Sequence, residues 1–200
     1  MSTVRAGRVL DIADEILMAQ VRGGDLRKLA LLFERHHRAL YSFFVHMTGS
    51  ADISEDLVQE VFFRILRYRH TYDESRPFPA WMYQIARNAK SEGARKRKGE
   101  LQLVTSATDD DAEAREPAAQ ELDAEQALRR QQEVKLLRQA LQRLPDEKRE
   151  VLVLSRFQNL RYEHIAQVLG CEVGTVKVRV FRAVRELGQI YLELAGEKAS

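Results

Sequence analysis

An all-α chain of two small helical domains joined by an acidic linker, the second domain a helix-turn-helix, is what three features of the sequence predict. Ten glycines and four prolines punctuate 200 residues, too few for the frequent turns of a strand-rich chain. Between them, apolar residues recur at steps of three and four, the period of a helix with one buried side. Charge then reverses midway. From Arg87 to Lys98 six basic residues stand against one acidic, and from Glu100 to Glu125 nine acidic against one basic. Around that reversal the segment "TSATDDDAEAREPAAQE" reads as a solvated tether between domains.

Composition bounds the class. A hydrophobic share of 44% beside 31% charged residues belongs to a soluble globular chain, so disorder and membrane insertion are both disfavoured. No apolar run approaches a membrane span or a signal peptide, and Cys171 is the one cysteine, which excludes an intrachain disulfide. These features predict a cytoplasmic protein. The net charge of +2 says little by itself about partners, and its distribution says more.

In the first half, "DISEDLVQEVFFRILRYRH" sorts at about 100° per residue into a core stripe of Leu57, Val58, Val61, Phe62, Ile65 and Leu66. Phe63 falls opposite, among Asp56, Gln59, Glu60 and Arg67. An aromatic ring framed by carboxylates and an amide reads as a docking surface; a solvated face with one stray ring is the alternative. Pro77 and Pro79 predict a loop over residues 70–79, with a helix starting near Ala80. Trp81, Met82, Ile85 and Ala89 make its apolar side, and Tyr83, Arg87, Lys90 and Ala94 the other. Aromatics at 68, 72, 78, 81 and 83 interleave with Arg67, Arg69, Arg76 and Arg87. Bases stack on rings while cations hold phosphates, so this interleaving fits single-strand binding, with core filling by Phe78 and Trp81 as the alternative.

In the second half, "AEQALRRQQEVKLLRQALQRL" reads as a helix stopped by Leu144-Pro145. "PDEKREVLVLSRF" restarts with proline and then acidic residues, both favourable at a helix N-terminus. "RYEHIAQVLG" is a short helix with Ile165, Val168 and Leu169 inward, closed by Gly170. The next stretch, "GCEVGTVKVRVFRAVREL", alternates valine with basic residues and could pass for a strand. Its apolar stripe of Val176, Val180, Ala183, Val184, Leu187 and Tyr191 runs too far for one, so it reads as a helix. Two helices joined by a short glycine-containing turn form a helix-turn-helix. Val178, Phe181, Arg182 and Arg185 lie opposite the stripe, with Lys177 and Arg179 on the flanks. Arginines that read guanine edges or hold phosphates, beside apolar groups that meet thymine methyls, suit a major groove; an ordinary basic surface is the alternative.

These segments resemble the bacterial sigma factors of RNA polymerase, in the extracytoplasmic-function group that carries only regions two and four. The likeness covers roughly residues 25–98 and 126–195. It implies an N-terminal extension over 1–24, region two over 25–98, a linker over 99–125 and region four over 126–200. "DLVQEVFFRILR" is similar to the helix that docks on the β′ clamp coiled coil. "FPAWMYQIARNAKSEGARKRK" is similar to the segment that melts and reads the minus-ten element, and "LPDEKREVLVLSRFQNLRYEHIAQVLGCEVGTVKVRVFRAVREL" to region four.

The resemblance implies polymerase binding by Asp56, Gln59, Glu60 and Phe63, and minus-ten contacts from Tyr72, Phe78, Trp81, Arg87, Asn88 and Lys90. Asn88 matches the asparagine associated with an unstacked base, and residues 70–79 the specificity loop. Minus-thirty-five contacts fall to Lys177, Val178, Arg179, Phe181, Arg182 and Arg185. Three positions depart from the family pattern: Arg161 replaces a small capping hydroxyl, Val178 a frequent serine, and Glu92 stands near a usual aspartate. The implied partners are core RNA polymerase (the β′ clamp coiled coil and the β flap), promoter DNA and an anti-sigma factor. No cofactor, metal site, membrane insertion or enzymatic activity is expected. The histidines are scattered, adjacent His36 and His37 diverge by about 100° on a helix, and the Asp109–Asp111 run sits in the linker. A self-sufficient helix-turn-helix regulator is the rival reading, and it leaves Phe63 and Asn88 unexplained.

Overall fold

The computed structural model describes residues 12–101 and 124–199. Most of the acidic linker, with the Asp109–Asp111 run, and the first eleven residues lie outside the described residues. No strand occurs among the described residues. Two compact units form. The first holds residues 12–41 and 55–101 of the described chain, the second 42–54 and 124–199.

The first unit begins with α1, Asp14–Arg22, for which the sequence offered no reading. Its acidic first turn and basic last turn both oppose the helix dipole favourably. Leu17, Met18 and Val21 are wholly buried, so α1 belongs to the core. Helix α2, Arg27–Thr48, contributes Leu32 and Leu40, and its later turns pass into the second unit. Helix α3, Ala51–Tyr68, buries Leu57, Val58, Val61, Phe62 and Ile65 of the stripe read from its spacing, while Leu66 at its end is only half-buried. A short 3-10 turn, Arg69–Thr71, opens the loop that leads to α4, Phe78–Leu101. Helix α4 starts two residues earlier than expected because a proline in the first turn needs no N–H partner there. Pro77 instead supplies a carbonyl to the amides of Ala80 and Trp81.

The second unit is built on α5, Ala124–Arg143, and α6, Asp146–Leu152, which runs on through a π turn at Val153–Phe157. Helix α7, Tyr162–Leu169, and helix α8, Val173–Ala199, follow. Every residue from Glu150 to Ser155 is buried. Arg149 closes the end of α5: its Nε and a terminal nitrogen donate to the carbonyls of Leu141 and Leu144, each at 2.9 Å. Carbonyls at a helix C-terminus lack amide donors from a following turn; here the guanidinium supplies them, beside the Leu144 amide that reaches Leu141 O at 3.2 Å. The same guanidinium reaches Met47 O at 2.8 Å, and the Gln142 amide reaches His46 O at 2.9 Å, joining residues 42–54 to this unit. Gly170 ends α7 in the left-handed region (φ 63°), where a side chain would be strained, and the Cys171 amide turns back to Ala166 O at 3.0 Å.

Candidate polymerase and promoter interface

The face of α3 away from the core carries Asp56, Gln59 and Phe63, all exposed, with Glu60 partly covered. Phe63 is 59% exposed while its neighbour Phe62 is 7%, so two adjacent phenylalanines face opposite environments. Arg64 organises the edge of this face. Its Nε donates to Glu60 Oε1 at 2.6 Å and a terminal nitrogen to Glu92 Oε2 at 2.7 Å on α4. The Arg64 hydrogen bond, then its charge, holds the Glu92 carboxyl below its ordinary range. Glu92, where the family pattern has aspartate nearby, thus ties α4 to α3.

The expected single-strand surface is only partly open. Tyr72, Phe78 and Lys90 are buried, which corrects their reading as exposed contact residues. Tyr72, Phe78 and Trp81 instead form one cluster, with ring centroids 5.1 Å apart for Tyr72–Trp81 and 6.2 Å for Phe78–Trp81. The Tyr72 hydroxyl donates to Arg76 O at 2.8 Å across the loop, and burial pushes its ionisation upward. These rings are the floor of the loop. Tyr83, assigned to the polar side of α4, is also buried, with its phenol likewise pushed up by burial. Asn88 is exposed; Arg87 and Trp81 are half-buried. The loop surface is polar: Asp73 Oδ1 accepts from the Ser75 amide at 3.0 Å and from its hydroxyl at 2.7 Å, a compact turn.

In the helix-turn-helix, Val176, Val180 and Ala183 are buried and hold α8 to its unit. Lys177, Val178, Arg179, Phe181, Arg182 and Arg185 are all exposed, as expected from the spacing, and Phe181 reaches 70%. Val184, placed on the buried stripe, is 45% exposed. It sits about 80° around the helix from Val176, at the stripe's margin, where the second unit no longer covers it. Arg161 precedes α7 without a side-chain cap, as its departure from a hydroxyl residue implies. Thr175 and Gly174 line a shallow surface depression with Val178, Arg179 and Arg182. The sequence reading passed over them because neither carries charge nor falls on an apolar stripe.

Residues 32–100 match the family model described as Sigma-70 region 2, and residues 135–187 the model described as Sigma-70, region 4. The RNA polymerase sigma-H factor of Pseudomonas aeruginosa is 32% identical over 173 residues, 85% of this chain and 89% of that protein. The chain belongs to the sigma-70 family, in its extracytoplasmic-function group. The ECF RNA polymerase sigma factor EcfG of Rhodopseudomonas palustris is 33% identical over 152 residues, 76% of this chain and 78% of that protein. A solved structure of the sigma factor RpoE with the anti-sigma factor NepR, from Bartonella quintana, has a TM-score of 0.63 at 26% identity. It covers 80% of this chain and 94% of that one. The protein is a promoter-recognising sigma subunit, and the self-sufficient regulator is not favoured. No described helix of this sigma factor is long and apolar enough to cross a membrane.

Residues that the sequence reading missed lie on α1 of the sigma factor. Arg22 donates to Tyr72 O at 3.2 Å and pairs with Glu74 at 2.8 Å. Glu15 Oε1 accepts the Phe78 amide at 2.9 Å. Periodicity cannot reveal such pairings, since their partners lie 50 to 63 residues away in sequence.

Proposed function

We propose that this sigma factor divides its work among three surfaces, with region two over residues 25–98, the linker over 99–125 and region four over 126–200. Asp56, Gln59, Glu60 and Phe63 bind the β′ clamp coiled coil of core polymerase. Asn88 and Arg87, beside the exposed rim of the 70–79 loop, take up minus-ten bases once they leave the stack, which lowers the cost of opening. Tyr72, Phe78 and Trp81 support that loop from below. Lys177, Val178, Arg179, Phe181, Arg182 and Arg185 enter the major groove at minus-thirty-five, and region four also meets the β flap.

The protein works in the cytoplasm without catalysing a reaction of its own, and an anti-sigma factor restrains it. One observation carries the reading of region four: Phe181, at 70% exposure, stands among exposed arginines on a helix anchored by buried Val176 and Val180. An apolar ring left in water between cations is explained by a groove lined with phosphates and base edges. Transcription in vitro, with core polymerase and a promoter library, tests it. Selected promoters should share two elements at fixed spacing, and their absence would overturn the assignment.

A further inference from the structure

Helix α1 bears none of the residues assigned above, yet it holds the 72–78 loop at three points. Glu15 supplies an acceptor for the Phe78 amide, one of the first-turn N–H groups that α4 cannot satisfy internally. Its negative charge also suits that positive helix end. Arg22 grips the other limb of the loop through Tyr72 O and Glu74. The helix carrying both is itself fixed, because Asp14 accepts from Arg35 at 2.6 Å and bonds His36 at 2.7 Å, with Leu17, Met18 and Val21 wholly buried. His36 in turn lies 5.3 Å from the Phe78 ring. A loop gripped on both limbs by one anchored helix has less conformational freedom than an untethered one.

We propose that Glu15 and Arg22 are positioning residues for minus-ten capture, setting the loop so that extruded bases meet a preformed surface. This rests on the minus-ten reading of the loop and of Asn88. Without the two side chains the loop must be ordered when bases arrive, and that cost falls on the opening step. Core binding through Phe63 and duplex binding through α8 need neither residue.

The test uses full-length protein with core polymerase on two templates, a duplex promoter and the same promoter already mismatched across minus-ten. Glu15→Ala and Arg22→Ala should each lower transcription from duplex roughly tenfold, the scale of one lost hydrogen bond to a charged group, with a smaller loss on the mismatched template. Core affinity should be unchanged. Glu15→Gln keeps an acceptor oxygen without the charge and should restore part of the loss. Folded alanine variants that open duplex as the parent does would overturn the proposal. So would equal losses on both templates, or a loss that Glu15→Gln fails to relieve, since either marks a general structural role. Asn88→Ala, measured alongside, reports on the underlying reading. If it has no effect, and minus-ten base changes have none, that reading fails and the proposal with it.

Discussion

Phe62 and Phe63 are adjacent on α3, and exchanging each for alanine separates fold from docking. Phe62 is 7% exposed, with its ring 4.9 Å from Phe33 in an edge-to-face arrangement. Removing it leaves a cavity and forfeits that pair, so Phe62→Ala should cost about 3–4 kcal/mol. For a domain of this size that lowers the melting temperature on the order of 15 °C. Phe63 is 59% exposed, so Phe63→Ala should stay within about 0.5 kcal/mol of the parent. As an interface anchor it would instead weaken core binding by about 2 kcal/mol, roughly thirtyfold in Kd. Thermal unfolding followed by circular dichroism, with titration of labelled sigma against core polymerase, measures both. Parental core affinity in folded Phe63→Ala would refute the docking face. A melting loss matching that of Phe62→Ala would show that Phe63 serves the fold.

Asn88→Ala, at an exposed position, should lower transcription from duplex promoters more than from templates mismatched at minus-ten, and equal losses would argue against capture of unstacked bases. Arg182→Ala should leave melting unchanged and lower promoter binding, by about 1–3 kcal/mol and selectively if it reads a base, or uniformly with a shallower salt dependence if it holds phosphate. Val180→Asp should unfold region four by burying an unpaired charge, whereas Val184→Asp, at a 45% exposed site, should leave it folded; comparing their melting curves checks both. At Asp14, burial raises the carboxyl's pKa, but the hydrogen bonds and charges of His36 and Arg35 outweigh it and the net direction is downward. The lowered carboxyl stabilises the fold fully above the ordinary aspartate range and loses that contribution as pH falls through the lowered value. Asp14→Asn should therefore cost roughly 1.5 kcal/mol near neutrality, and its deficit in urea titrations should close in acid.

Helical period made most of the fold legible, because one covered side per helix is what the period encodes. The stripes of α3 and the anchor residues Val176, Val180 and Ala183 of α8 emerged that way, as did the exposure of Phe63 and Phe181. The errors also share a cause. Tyr83 and Lys90 lie seven residues apart on one flank of α4, about 80–100° from Met82, and both are buried because the packed arc is wider than a single stripe. Val184 errs in the other direction at the margin of a narrower arc. Tyr72 and Phe78 misled through composition. Rings interleaved with arginines suit base stacking and core packing equally, and only tertiary contact separates the two. The brace on the loop was illegible for a related reason, since Glu15 and Phe78 meet across 63 residues and neither belongs to any local pattern.

The charge balance completes the mechanism. A chain with a net charge of +2 gains little non-specific attraction to DNA, although the exposed face of α8 gathers four cations around Phe181. On the proposed assignment, either promoter surface acting alone would have to offset the whole freedom lost on association. On the same assignment, core polymerase would present region two and region four to one DNA molecule together, and the second contact would form at the effective concentration set by the assembly. Weak binding by the free subunit would then be a condition for selectivity, because promoters lacking either element would forfeit that gain. Raising the charge of the solvated face, for example with Gln189→Lys and Glu193→Lys on α8, should strengthen binding of free sigma to random DNA. The ratio of promoter to random binding in holoenzyme should fall with it. An unchanged ratio at matched salt would mean that the near-neutral balance plays no part in discrimination.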